Sequence, residues 1–132
     1  MMFDGINLVG VALAAVASFA FGALWYGLLG RPWQRAARMS ADAARPGPIT
    51  MLVTFAAELL MAFIFAGVIY HAGGLSVKSG LISAGMIWTG FFLTSLVVSH
   101  RHQKTSPLLL LIDGGHWLGV LLIQGAVIGL VG

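Results

Sequence analysis

Four long apolar runs fill most of the chain, and short polar or glycine-rich segments divide them. The first extends over 5–29, interrupted only by Asn7, Ser18 and the pair Trp25-Tyr26. The second covers 49–72, with Thr50, Thr54 and Glu58 as its polar positions before Tyr70-His71. The third covers 77–100 and carries Thr89, Thr94, Ser95 and Ser99, and the fourth, 107–131, is broken by Asp113, His116 and Gln124. About 20 residues of helix cross a bilayer, so each run is long enough for one span. Each is also about twice the length of a barrel strand and lacks period-two alternation. Helix is the form that satisfies every backbone N–H and C=O inside lipid. The pattern therefore predicts an all-α fold: an integral membrane four-helix bundle of antiparallel up-down topology, forming one transmembrane domain over 1–132.

The charges between the runs predict an orientation. Arg31, Arg35, Arg38 and Arg45, set against Asp42, occupy loop 30–48, and Arg101 and Lys104 occupy the connection between the third and fourth runs. The opposite side holds Lys78 and the Gly73-Gly74-Leu75-Ser76 turn. Positive-inside logic places the arginine-rich connections in the cytoplasm and both termini outside, in the cell's inner membrane. Within loop 30–48, two readings stay open: a short helix from Pro32 lying on the inner leaflet, or an irregular loop with solvated arginines. Trp25, Tyr26 and Trp33 bracket the same boundary and are expected to form an aromatic belt.

Composition sharpens this picture. Hydrophobic residues make up 59% of the chain against 8% charged, far from a soluble balance. The formal charge of +3 lies between apolar runs, so the expected partner is the anionic lipid headgroup and not nucleic acid. Cysteine is absent, which removes disulfides, thiolate nucleophiles and Cys-based metal sites. The segment from Met1 to Gly5 lacks a basic n-region, so the first run is expected to be retained as a span.

Small residues supply seams for helix association in lipid, where excluding water contributes nothing. Gly10, Ala14, Ser18 and Gly22 form a ridge at spacing four on the first span. Gly115 and Gly119, then Gly125 and Gly129, repeat that spacing on the fourth, and Gly80 and Ala84 do so on the third. Whether the fourth-span seam joins helices of one chain or two protomers stays open.

Glu58 lies near the bilayer middle, where an ionised carboxylate costs about 2.5–3.5 kcal/mol on insertion scales. It must be neutral, paired or lining a wet cavity. Thr54, one turn earlier, shares its face and is expected to bond to it or line that cavity. Asp113 and His116 are three residues apart and share a face of the fourth span. With Thr94 on the third span nearby in depth, the expected polar centre is a Glu58–His116–Asp113 cluster. Two roles stay open for it, a structural latch between helices or a site that handles protons or a small polar ligand. One in-span histidine and two carboxylates are too few to predict a metal site, and no cofactor is predicted. His71, His100 and His102 are read as boundary groups, and Asn7 and Gln124 as satisfying nearby backbone. No H-E-x-x-H, G-x-S-x-G or Walker signature is present, so no catalytic residues are assigned. The strings Gly22-Ala-Leu-Trp25 and Gly85-Met-Ile-Trp88 form a faint repeat between the first and third spans.

Several strings taken together carry a resemblance: Gly22-Ala-Leu-Trp25-Tyr26 followed by Trp33, then Trp88-Thr-Gly90-Phe91, then Ile112-Asp113-Gly114-Gly115-His116-Trp117 followed by Gly125 to Gly129. The chain resembles a widespread, mainly bacterial domain-of-unknown-function family of small four-helix membrane proteins. The resemblance covers nearly the whole chain, implies four spans, and brings no activity. In the family's pattern an aromatic residue is common where His116 stands, while Asp113 and Gly115 fit. The functional expectation is binding or passage of protons or a small polar ligand at the buried centre, in a homo-oligomer, with a dimer as the simplest assembly. The rival expectation is a non-catalytic accessory or scaffold subunit of a larger membrane complex.

Overall fold

A computed structural model describes residues 5–132; the first four residues, which carry the expectation about the missing n-region, lie outside the described residues. No strand occurs among the described residues, and four helical stretches are long and apolar enough to cross a membrane. Helix α1 spans Leu8–Leu28, and Asn7 caps it by accepting from the Val9 and Gly10 N–H groups. Short helices α2, Gly30–Ala37, and α3, Ala41–Ala44, follow. Helix α4 spans Pro48–Gly73 and starts on a proline, whose missing N–H costs little in a first turn. Gly74 then turns the chain at a φ of 96°, a left-handed value that glycine adopts without strain.

The third stretch is not a uniform helix. Helix α5, Val77–Ile87, passes into a π-helical segment, Trp88–Leu93, before α6, Thr94–Gln103. Helix α7, Pro107–Val131, is capped by Ser106, which accepts from the Leu108 N–H, and again opens on a proline. Helices α1 and α5 both pack on α7, and α4 packs on α1. The Asn7 amide reaches the Val131 carbonyl at 3.4 Å, while Trp25 reaches Ile112 at 3.0 Å, so the start of α1 lies by the end of α7.

The core is built from small side chains. Ala14, Ala15, Ala62, Ala66 and Ala84 are buried, with Phe65, Ile69, Val120, Leu121 and Ile128 filling the space between them. Large residues such as Leu24, Leu52, Leu60, Met86, Leu111 and Leu130 point outward, as they must where the surroundings are as apolar as the interior.

The glycine seams of α7 are occupied within the chain. A methyl group at Gly115 would stand 2.9 Å from the Trp25 ring, and one at Gly119 would overlap Phe21, both on α1. On the other face, Gly125 and Gly80 meet backbone to backbone, and Gly129 lies against the Ser76 carbonyl at the start of α5. One helix thus uses its first glycine pair to admit aromatic rings and its second to admit another backbone. Gly22 on α1 gives way to His116, whose Nε2 lies 2.8 Å from where a Cβ would be.

Loop 30–48 takes the helical alternative. In α2, Arg31 and Arg35 are exposed, as is Arg38 at its end, whereas Pro32, Trp33, Ala36 and Ala37 are half-buried.

Candidate functional site

Three indole and phenol groups expected to form a boundary belt instead donate into α7. The Tyr26 hydroxyl donates to Asp113 Oδ1 at 2.6 Å, and the Trp33 indole donates to the same oxygen at 3.0 Å. The Trp25 indole donates to the Ile112 carbonyl at 3.0 Å. Amphipathic rings near a membrane boundary can turn either way, and here the acceptors on α7 turn them inward. Asp113 is therefore a clasp that fastens the end of α1 and the short basic helix α2 to the start of α7.

One turn deeper stands His116, 5% exposed, packed against the rings of Tyr26, Trp117 and Phe21 at centroid distances of 4.8, 4.6 and 6.2 Å. Its Nδ1 is buried with no hydrogen-bond partner.

Deeper again, three helices meet at a polar knot. The Gln124 Nε2 group donates to Ser18 Oγ on α1 and to the Glu58 carbonyl on α4, each at 3.1 Å. The Ser18 hydroxyl donates to the Ala15 carbonyl at 3.2 Å and lies beside the Glu58 carboxyl. Ser18 and Gln124 are 0% exposed and Glu58 is 1% exposed. Two oxygens of the knot, Glu58 Oε1 and Gln124 Oε1, have no partner. In an apolar interior such an acceptor costs about 1–3 kcal/mol, so two in one knot call for an explanation.

A cavity of about 800 Å³ leads to this knot from the loop side. Phe19, Ala23 and Gly27 of α1, Thr50 and Thr54 of α4, and Trp117 of α7 form its walls. Trp33, Met39 and Arg45 contribute from the loop segment, and Glu58 and His116 also line it. Helical rise from Pro48 puts Glu58 about 15 Å below the start of α4.

No hydrogen bond joins the side chains of the expected Glu58–His116–Asp113 cluster, although Glu58 and His116 line one cavity. Asp113 is held by Tyr26 and Trp33, His116 Nδ1 has no partner, and Glu58 joins Ser18 and Gln124. Spacing three on α7 does bring Asp113 and His116 to neighbouring positions, and Tyr26 of α1 touches both, its hydroxyl on Asp113 and its ring against His116. Thr54 lines the cavity as expected, although its hydroxyl donates to the Thr50 carbonyl at 2.8 Å and not to Glu58. Thr94 is exposed and donates to the Gly90 carbonyl at 2.9 Å, away from the polar centre. The π-helical segment lies between the two orientations: Trp88 at its start donates to the Gly114 carbonyl on α7, and Thr94, just after the extra residue in the turn, faces outward. Asn7 satisfies backbone as expected, but Gln124 does more, linking α1, α4 and α7.

Among the described residues, no group of three or more His, Asp or Glu side chains is placed to hold a metal ion. Ser18 and Gln124 are the site residues that reading the sequence for ionisable groups passes over. Their signal was present, since Gln124 is the one amide in the fourth apolar run and Ser18 the one serine or threonine in the first.

Comparison with curated proteins and with solved structures finds no match. A family model does match, over residues 9–129, which takes in the clasp, the cavity and the knot. The chain belongs to the DUF1761 family, described as a protein of unknown function.

Proposed function

We propose that this chain is a multipass membrane protein that binds protons or a small polar ligand at Glu58, reached through the cavity from its arginine-rich side. The reading takes the four helices as an antiparallel up-down bundle in the cell's inner membrane, with loop 30–48 and the Arg101–Lys104 connection in the cytoplasm and both termini outside. One observation carries it: a carboxylate near mid-membrane closes a cavity of about 800 Å³ and keeps an oxygen without a partner. Below Glu58 the helices close on Ala62, Phe65, Ala66 and Leu121, so the arrangement supports binding from one side more directly than open passage.

A hydrophobic carbodiimide tests the reading, since it enters apolar cavities and forms a stable adduct with an accessible carboxyl. Mass spectrometry of the folded protein should find the adduct on the peptide carrying Glu58, at a rate slowed several-fold by Gly27→Phe, which narrows the cavity. Folded protein that yields no adduct at Glu58 would overturn the proposal.

A second reading is favoured by the third helical stretch, Val77–Gln103, whose most apolar window is only 6% buried. Such a helix offers its surface to lipid, to a second copy, or to a larger membrane complex in which this chain is an accessory subunit. Cross-linking from Gly85→Cys, where a side chain meets open space, would trap a homodimer if copies assemble through it.

A further inference from the structure

The polar knot contains more acceptors than donors, and the shortage can be counted. Glu58 brings two carboxylate oxygens and its backbone carbonyl, Gln124 brings Oε1, and Ser18 brings a hydroxyl oxygen. The donors are the Gln124 amide and the single Ser18 hydroxyl hydrogen. Gln124 Nε2 already reaches Ser18 Oγ and the Glu58 carbonyl. The Ser18 hydrogen cannot serve both the Ala15 carbonyl at 3.2 Å and the Glu58 carboxyl. Glu58 Oε1 and Gln124 Oε1 are left over, each buried.

No fixed cation answers them. Helices α1, α4 and α7 contain no Lys or Arg. The groups that face Glu58 are Ser18 from α1, Gln124 and His116 from α7, and the distant Arg45 at the cavity's outer end. Arg45 precedes α4, and Glu58 lies about 15 Å of helical rise beyond that helix's start. A proton on Glu58, or a small cation in its place, is what would answer these acceptors, at a point where oxygens of three residues converge. Oxygen ligands of this kind, carboxylate, amide, hydroxyl and backbone carbonyl, suit hard cations.

We propose that Ser18, Glu58 and Gln124 form a binding site for a dehydrated alkali cation of sodium size, which enters through the cavity and exchanges with the Glu58 carboxyl proton. This rests on the proposed access to Glu58 and names what the site takes. The exchange is balanced, because the carboxylate that accepts the cation releases one proton to the cavity. Size follows from packing. Ala14, Ala15, Ala62, Val120 and Leu121 are 0–1% exposed around the knot, so an ion seated there must have shed most of its water and meets water only on the cavity side. The Gln124 amide can present either its oxygen or its nitrogen to Ser18 and the Glu58 carbonyl, since its two ends are nearly isosteric. With the oxygen turned inward, Gln124 Oε1, Ser18 Oγ, the Glu58 carbonyl and the Glu58 carboxylate supply ligands together, and cavity water completes the shell.

The test is equilibrium binding of radioactive sodium to the purified full chain in nanodiscs. Saturable binding near one ion per chain is expected, displaced by unlabelled sodium or lithium and at least tenfold less well by potassium. Lowering the pH should reduce it. Glu58→Gln should abolish it, and Ser18→Ala, which keeps a small residue at the helix contact, should weaken it at least fivefold with helicity unchanged. If Glu58→Gln does not fold, Ser18→Ala carries the test alone. Absence of saturable sodium binding in the wild-type chain, or binding unaffected by Ser18→Ala, overturns the cation site. If the carbodiimide still labels Glu58 in that case, the cavity reading survives; if it does not, both fall.

Discussion

The two halves of this all-α molecule use the same residue type to opposite ends. Away from the arginine-rich loop, Gly80 and Gly125 bring two helix backbones into contact and Gly129 admits the Ser76 carbonyl. Toward the loop, Gly27 and Gly30 have nothing within reach of an added side chain, and both line the cavity. Absent side chains close one half and open the other. In a membrane, where burial of apolar surface gives little drive to associate, close backbone approach provides contacts and cohesion. The closed half can therefore serve as the anchor, and the open half can keep an interior space without collapsing.

That contrast can be broken by mutation. Gly125→Leu should have the largest effect, costing about 3 kcal/mol or more, because a side chain there drives into the Gly80 backbone. Reversible unfolding in mixed micelles, followed by circular dichroism, would show an early transition or no folded state. Asp113→Ala should cost about 2 kcal/mol in the same assay, since it strips the acceptor from both Tyr26 and Trp33. It should also speed hydrogen exchange in α2, which Asp113 holds through Trp33. A double-mutant cycle between Tyr26→Phe and Asp113→Asn should return a coupling of about 1 kcal/mol, in the range of interhelical bonds in lipid. Gly27→Phe should be the mildest, within about 0.5 kcal/mol of wild type, because it meets open space. A large loss from Gly27→Phe would erase the distinction between the halves.

How much of this was legible in the sequence depends on the distance over which each feature is decided. The helices are written in runs of 20 or more apolar residues, and four helical stretches among the described residues are long and apolar enough to cross a membrane. The proline starts, the Gly73-Gly74 turn and the glycine seams are equally local. The composition of the site was not local. Spacing along α7 places Asp113 and His116 on related faces, but which helix each meets is settled by α1, whose Gly22 leaves room for His116 and whose Tyr26 reaches Asp113. Tyr and Trp near a boundary carry the same sequence signature whether they face headgroups or a buried acceptor. Thr94 was misplaced, and the π-helical turn just before it leaves no hydropathy signal. Ser18 reads in the sequence as part of a small-residue ridge and Gln124 as a partner for backbone, because a search for ionisable groups does not connect neutral oxygens with Glu58, whose environment they complete.

Cysteine accessibility tests the central claim most directly, and the natural chain contains no cysteine to interfere. Thr54→Cys lines the cavity and Ala62→Cys, two turns on in the same helix, lies in the sealed core at 0% exposure. A small water-soluble thiol reagent added from the arginine-rich side should label position 54 at least tenfold faster than position 62. Equal rates at the two positions, or a position 54 that reacts only from the opposite side, would contradict a cavity that leads from the basic face to Glu58.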